Sequence, residues 1–65
     1  MSVLPEPSLA SAAEARLADP SPLVRAMAVW ALSKLLPPQE FTARAQNYAP
    51  DETDPDVLKE WNGSN

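Results

Sequence analysis

A segment that is apolar on nearly every side decides which folds are open to this chain. Residues 22–36 read PLVRAMAVWALSKLL, and only three of the residues after the opening proline are polar. A proline suits the first position of a helix, and the proline pair that follows residue 36 ends the helix. A helix with so few polar residues is normally buried. The segment therefore predicts a central helix that other helices must cover.

The spacing of the apolar residues predicts which side of this helix faces a core. Leu23 and Trp30 lie on one side of the main apolar stripe, and Val29 and Leu36 lie on the other side. The stripe itself has the spacing of a core-facing helix. We expect its six members to form the core: Val24, Met27, Ala28, Ala31, Leu32 and Leu35.

The chain is too short to cover such a helix on all sides. It has 65 residues, and a domain of about 60 residues buries only about 60% of its unfolded surface. Cysteine and histidine are both absent, so disulfides and common zinc sites cannot stabilise the fold. We expect part of the helix to be covered by a larger protein or by a second copy of the chain.

Three further helices are predicted around the central one. The first spans 8–18, with Ser8 as its cap, and the third spans 38–48. The fourth begins at Asp54, which can cap it, followed by Pro55 at the first helical position. Short apolar faces at helical spacing comprise Leu9, Ala13 and Leu17 in the first helix and Phe41, Ala45 and Tyr48 in the third. The pattern predicts an all-α fold.

A dipeptide recurs along the chain at the spacing of a helical repeat. Asp19-Pro20 returns 35 residues later as Asp54-Pro55, and each pair precedes a branched apolar residue, a basic residue and a tryptophan. Two-helix units with periods of about 30 to 50 residues are typical of α-solenoids. Residues 19–32, DPSPLVRAMAVWAL, resemble the second helix of HEAT-like repeats. This resemblance implies short antiparallel helical hairpins, with one full repeat at 8–36 and part of a second at 38–61.

A longer stretch, DPSPLVRAMAVWALSKL, is similar to the C-terminal HEAT-like segment of bacterial epoxyqueuosine reductase, the family that completes queuosine in the wobble position of tRNA. The resemblance covers residues 9–36. It implies a non-catalytic segment that packs on the catalytic region and helps to position tRNA. We expect three parts: an extended N-terminus at 1–7, the repeat segment at 8–61 and a tail at 62–65.

The same resemblance assigns the cofactors to another part of the enzyme. In that family the catalytic region binds cobalamin and two iron–sulfur clusters through many cysteines. This chain has no cysteine, so we expect no cofactor in it. The chain would then be a C-terminal remnant or a separately encoded tail of an oxidoreductase.

Particular residues receive roles from the resemblance to HEAT-like repeats. The residues matched by Asp19 and Arg25 hydrogen-bond within and between such repeats, because a stacked helix end buries N–H groups and a guanidinium that need partners. We expect Val29, Trp30 and Ser33 to lie at the stacking interface with a neighbouring repeat or partner.

The charge of the chain argues against an autonomous nucleic-acid-binding protein. The net charge is −4, and the five basic residues are scattered. Such binders normally show a basic patch or stripe. Trp30 and Trp61 could stack on nucleobases, but basic residues would be expected between them. Packing of Trp30 against an adjacent repeat is therefore favoured.

No arrangement of residues predicts catalysis or metal binding. Without histidine or cysteine the common nucleophilic triads cannot form. The acidic run that contains Asp51, Glu52, Asp54 and Asp56 lacks the glycine that a calcium-binding EF-hand loop needs. We expect this run to be a solvated acidic turn.

The sequence also bears on location and on alternative functions. The first residues lack the basic and apolar regions of a secretory signal, and no apolar run has the length of a membrane span. We expect a cytoplasmic protein with no membrane partner. One alternative function is a stand-alone HEAT-like protein-interaction module that docks through exposed apolar helix faces, and self-association through the same faces is also open.

Overall fold

The computed structural model describes residues 8–63, and the chain is all-α over this range. A 3₁₀ turn at Arg16–Ala18 continues the first helix, and a second at Ala49–Asp51 follows the third. The helices are α1 (Ser8–Ala15), α2 (Pro22–Leu35), α3 (Pro38–Tyr48) and α4 (Pro55–Trp61). The predicted all-α class is confirmed. The expected extended N-terminus at 1–7 and the last two residues of the tail lie outside the described residues.

Proline and short polar side chains set the helix starts. The Ser21 hydroxyl accepts a hydrogen bond from the Val24 N–H at 3.4 Å. Asp54 Oδ1 accepts from the N–H groups of Asp56 and Val57 at 2.9 and 3.2 Å. These bonds satisfy backbone donors that have no partner within the helix. The predicted cap at Asp54 is confirmed and Ser21 caps α2, whereas Ser8, the predicted cap of α1, is itself the first helical residue.

Helix α2 is the centre of the fold and contacts α1, the 3₁₀ turn after it, and α4. Its fully buried residues, Val29 and Leu32, meet Val57 and Trp61 from α4. Partly buried residues from the other elements surround this core: Ala10, Ala13, Leu17, Phe41, Ala45, Tyr48 and Ala49. The predicted inward face of α3 is among them.

The side of α2 that faces the core matches the predicted stripe at four of its six residues and differs at the other two. Met27 and Leu35, which the spacing predicts for the core, are 62% and 44% exposed. Val29, predicted for an interface, is fully buried. A helix that is apolar all round has no single stripe, so only its packing partners settle its rotation. The other members of the predicted stripe are buried or half-buried: Ala28, Leu32, Val24 and Ala31.

Helix α1 also departs from its predicted face. Leu9 is exposed, and Ala10 packs towards the core together with Ala13 and Leu17. Two alanines and one leucine form a shallow face, which lets the backbone of α1 approach α2 closely but buries little area. The larger part of the core therefore comes from α2 and α4.

Aromatic rings close α3 against α4. The Trp61 ring stacks parallel to Tyr48 with centroids 5.9 Å apart, and the Phe41 ring lies 5.3 Å away at a tilt of 33°. The Tyr48 hydroxyl donates to Glu14 on α1 at 2.9 Å, and this hydrogen bond raises the pKa of Tyr48. Glu14 also pairs with Arg44 at 3.2 Å. One carboxylate thus joins α1 to α3.

The Arg25 side chain connects the turn before α2 to the segment before α4. Its Nε and Nη2 donate to the two carboxylate oxygens of Glu52, each at 3.0 Å. Its Nη1 donates to the backbone carbonyls of Asp19 and Pro20 at 2.8 and 3.1 Å. Glu52 in turn accepts from the Asp54 N–H at 2.8 Å. The turn before α2 is therefore fastened to the segment before α4.

The expectation of a solvated acidic turn is wrong for Glu52. Only 8% of the surface of this side chain is exposed. The hydrogen bonds from Arg25 lower the pKa of Glu52, although partial burial acts in the opposite direction. A depressed pKa means that the ionised carboxylate stabilises the folded state, and that this contribution is lost as the pH falls through the folded-state pKa.

We predict that Glu52→Gln lowers the free energy of unfolding by about 1–2 kcal/mol at pH 7, because a charged hydrogen-bonded pair is replaced by a neutral one. The wild-type chain should itself lose stability as the pH falls below the ordinary carboxyl pKa of 4.5. The difference in the free energy of unfolding between the wild type and Glu52→Gln should therefore become smaller at low pH. Urea unfolding followed by circular dichroism at pH 7 and below pH 4 measures both effects.

Glu60→Gln is the matched control for this experiment, because Glu60 is an exposed glutamate on α4 with no ion pair among residues 8–63. It should leave stability nearly unchanged at either pH. Equal losses in the Glu52 and Glu60 variants would show that the bidentate pair does not stabilise the fold.

Candidate functional site

An exposed apolar surface lies on α2 directly opposite its buried side. Leu23, Met27 and Trp30 are 69%, 62% and 56% exposed. They follow one another at intervals of four and three residues, so their side chains are neighbours on the helix surface. We call these three residues the α2 stripe. The opposite side of the helix carries Val29 and Leu32, both fully buried.

The end of the α2 stripe is held by two local contacts. The Lys34 ammonium lies 5.5 Å from the centroid of the Trp30 ring, within cation–π range. The Ser33 hydroxyl donates to the backbone carbonyl of Trp30. The Lys34 contact therefore involves the indole itself, whereas the Ser33 hydrogen bond involves only the backbone of Trp30. Its exposed face remains open to a partner.

The residues predicted for a stacking interface do not form one surface. Arg25 and the backbone carbonyl of Asp19 lie within the connection to Glu52, and Val29 lies in the core. Trp30 and Ser33 are exposed, as an interface with another molecule requires. The hypothesis that Trp61 stacks on nucleobases is wrong, because this side chain is only 4% exposed.

Sequence reasoning missed two members of the α2 stripe as interface residues. Met27 is assigned to the core by its spacing, and Leu23 is placed only beside the core stripe. The sequence signal that could have identified them is their helical spacing from Trp30. The same spacing places Lys34 on this side of the helix. A lysine in line with apolar residues indicates that this side faces outwards.

The surface can bury apolar groups, and its residues do not suit metal or cofactor chemistry. Within residues 8–63 no cluster of three or more acidic, histidine or cysteine side chains could hold a metal ion. A chain without cysteine does not fit thiolate-bound iron–sulfur clusters. Covering each exposed side chain of the α2 stripe would contribute about 1–2 kcal/mol.

A second apolar feature borders this surface through Ser33. An open groove of about 620 Å³ lies between the end of α2, α3 and the end of α4, with Phe41 and Trp61 among its lining residues. None of the described residues that line it is charged. The groove therefore offers apolar contact, and no acid, base or cationic group points to catalysis there.

Two further findings concern membrane insertion and similarity to known proteins. None of the helices described between residues 8 and 63 is both long enough and apolar enough to cross a bilayer. Comparisons of the chain with protein-family models, curated proteins and solved structures found no significant match.

We predict that the two tryptophans respond differently to a quencher. The variant Trp30→Phe retains only the buried Trp61, so its emission should be blue-shifted and weakly quenched by acrylamide. The variant Trp61→Phe retains only the exposed Trp30, so its emission should be red-shifted and strongly quenched. Steady-state fluorescence of both variants, with the folded state checked by circular dichroism, provides the measurement.

Trp30 and Trp61 should also differ in how much each contributes to the free energy of unfolding. Trp61→Ala should lower the free energy of unfolding by about 3–5 kcal/mol, as large-to-small core changes do. Trp30→Ala should change it by less than about 1 kcal/mol. Equal quenching of the two indoles, or equal destabilisation, would contradict the assignment of Trp30 to an open surface.

Proposed function

We propose that this chain is the non-catalytic HEAT-like C-terminal segment of a tRNA-modifying enzyme that resembles epoxyqueuosine reductase. The α2 stripe packs on the catalytic region of that enzyme, and the segment helps to position tRNA. Cobalamin and the iron–sulfur clusters belong to the catalytic region. In this proposal the protein works in the cytoplasm.

The exposed α2 stripe is the observation that supports this proposal most strongly. It lies within DPSPLVRAMAVWAL, the stretch that carries the resemblance. The same helix buries Val29 and Leu32 on its opposite side. A helix with apolar residues on two opposite sides fits between two layers, and the described residues provide one of them. The catalytic region would provide the other.

The hydrogen bonds of Arg25 also support a HEAT-like arrangement. This residue lies in the second helix of the first hairpin and bonds to Asp19 and Pro20 in the turn before that helix. It also bonds to Glu52, which precedes the last helix of the second hairpin. The resemblance assigns this kind of bonding, within and between repeats, to the residues matched by Asp19 and Arg25.

The small size of the α2 stripe favours a segment that is tethered to its partner. A stable interface between free proteins buries about 800 Å² on each side, more than three side chains supply. A covalent connection gives an effective concentration in the millimolar range, so a weaker contact is sufficient. A segment of the same polypeptide meets this condition more easily than a partner that binds by free encounter.

A stand-alone protein-interaction module is the second candidate function. The groove beside Ser33, with Phe41 and Trp61 among its lining residues, favours it, because it could extend the apolar contact beyond the α2 stripe. The coding sequence that precedes this chain separates the two candidates. A cysteine-rich, ferredoxin-like region there supports the enzyme segment, and its absence supports the module.

We predict that the isotope-labelled chain binds weakly, at the millimolar concentrations that a tether would provide, to the catalytic region of an epoxyqueuosine reductase from which the C-terminal repeats have been removed. In a nuclear magnetic resonance titration the indole N–H signal of Trp30 should shift or broaden. The signal of the buried Trp61 should change much less. Leu23→Ser should weaken binding about tenfold or more, because it removes apolar area from the contact and places a hydroxyl there.

Leu9→Ser is the matched control, because Leu9 is a similarly exposed leucine near the start of a helix but lies on α1. It should leave the affinity unchanged. The proposal would be overturned if Trp30 showed no response to the catalytic region, or if the variants of Leu9 and Leu23 weakened binding equally.

A further inference from the structure

We infer that the partner surface that covers the α2 stripe carries a carboxylate, and that this carboxylate pairs with Lys34. The inference rests on the proposed docking through the α2 stripe and names the chemistry of the partner. The partner surface would combine apolar side chains, opposite Leu23, Met27 and Trp30, with an aspartate or glutamate at the end nearest Lys34.

Lys34 lies where a docked partner must meet it. It continues the α2 stripe four residues beyond Trp30, so it points to the same side of the helix. Its ammonium is 5.5 Å from the centroid of the Trp30 ring. A surface that covers the indole therefore covers the ammonium or lies directly beside it.

The charge on Lys34 is not balanced within the part of the chain that the structure describes. Arg25 and Arg44 form ion pairs with Glu52 and Glu14, whereas Lys34 forms none there. Removing an ammonium from water is costly unless an opposite charge and hydrogen-bond acceptors replace the water. The cation–π contact offsets only part of that cost. A partner carboxylate would supply both the charge and the acceptors.

A protein carboxylate fits this surface better than an RNA phosphate. The three residues beside Lys34 are apolar and need apolar partner atoms, which a phosphodiester backbone lacks. The chain carries a net charge of −4 and has only five basic residues, so its overall charge does not favour a polyanion as the occupant of this surface. In a contact between proteins, a charged group beside the apolar surface contributes to orientation and specificity.

The chain has only two lysines, Lys34 and Lys59, which makes the test direct. Lys59 is exposed on α4, away from the α2 stripe, and forms no ion pair within residues 8–63. The chain is treated with an amine-acetylating reagent, alone and with the catalytic region described above. Mass spectrometry should show that Lys34 becomes several-fold less reactive in the complex, while Lys59 keeps its reactivity. A carbodiimide should cross-link Lys34 to an aspartate or glutamate of the catalytic region.

Charge-changing variants give the second measurement. Lys34→Glu should weaken binding at least about tenfold, because it places like charges against each other. Lys34→Arg should bind nearly as well as the wild type, and Lys59→Glu should bind equally well. Circular dichroism of each free variant shows that the fold is intact.

Each outcome decides between the proposals. This inference alone is overturned if Leu23→Ser weakens binding while Lys34 stays as reactive in the complex as in the free chain and Lys34→Glu binds as well as the wild type. The absence of any complex overturns the proposed docking and this inference together. Protection of Lys34 by tRNA alone, or by raising the concentration of the chain alone, would show that the occupant is RNA or a second copy.

Discussion

The ion pair between Arg25 and Glu52 is the contact on which the arrangement of the helices depends. The guanidinium bonds both oxygens of one carboxylate and two backbone carbonyls, so three of its nitrogens have acceptors. Only a planar group with several donors can join these acceptors at one point. The fold has no disulfide, and its apolar core is small, so a polar connection between the turn before α2 and the segment before α4 has unusual weight.

This pair also explains which side of α2 is exposed. Arg25 has to face the segment before α4, and the residues four and seven positions later, Val29 and Leu32, then face the core. The residues on the opposite side, among them Met27 and Trp30, must point outwards. The polar contact of Arg25 and the apolar packing of Val29 and Leu32 therefore require the same rotation of α2, and this rotation leaves the α2 stripe exposed.

The sequence is sufficient to predict where the helices lie along the chain, but it does not predict how α2 is rotated about its axis. Proline, Ser21 and Asp54 define the starts of α2 and α4 through local chemistry, which a sequence displays directly. The rotation of α2 depends on its packing against Val57 and Trp61 and on Glu52, which lies 27 residues from Arg25 along the chain. Within its acidic run, Glu52 looks like any solvated carboxylate. A lone arginine in an apolar helix indicated that a partner exists, but it did not indicate which carboxylate. The repeat organisation itself remains a prediction from resemblance.

The two cations of α2 lie on opposite sides of the helix and differ in their contacts. Arg25 lies inward, where a guanidinium can saturate several fixed acceptors in a confined space. Lys34 lies outward, where a strongly hydrated ammonium can exchange water for a partner. Terminal units of solenoids present a polar outer face. Helix α3 meets this requirement with exposed residues such as Gln39 and Gln46, whereas the outer face of α2 does not. In a HEAT-like arrangement, the missing layer would therefore lie against α2, on the side that carries Trp30.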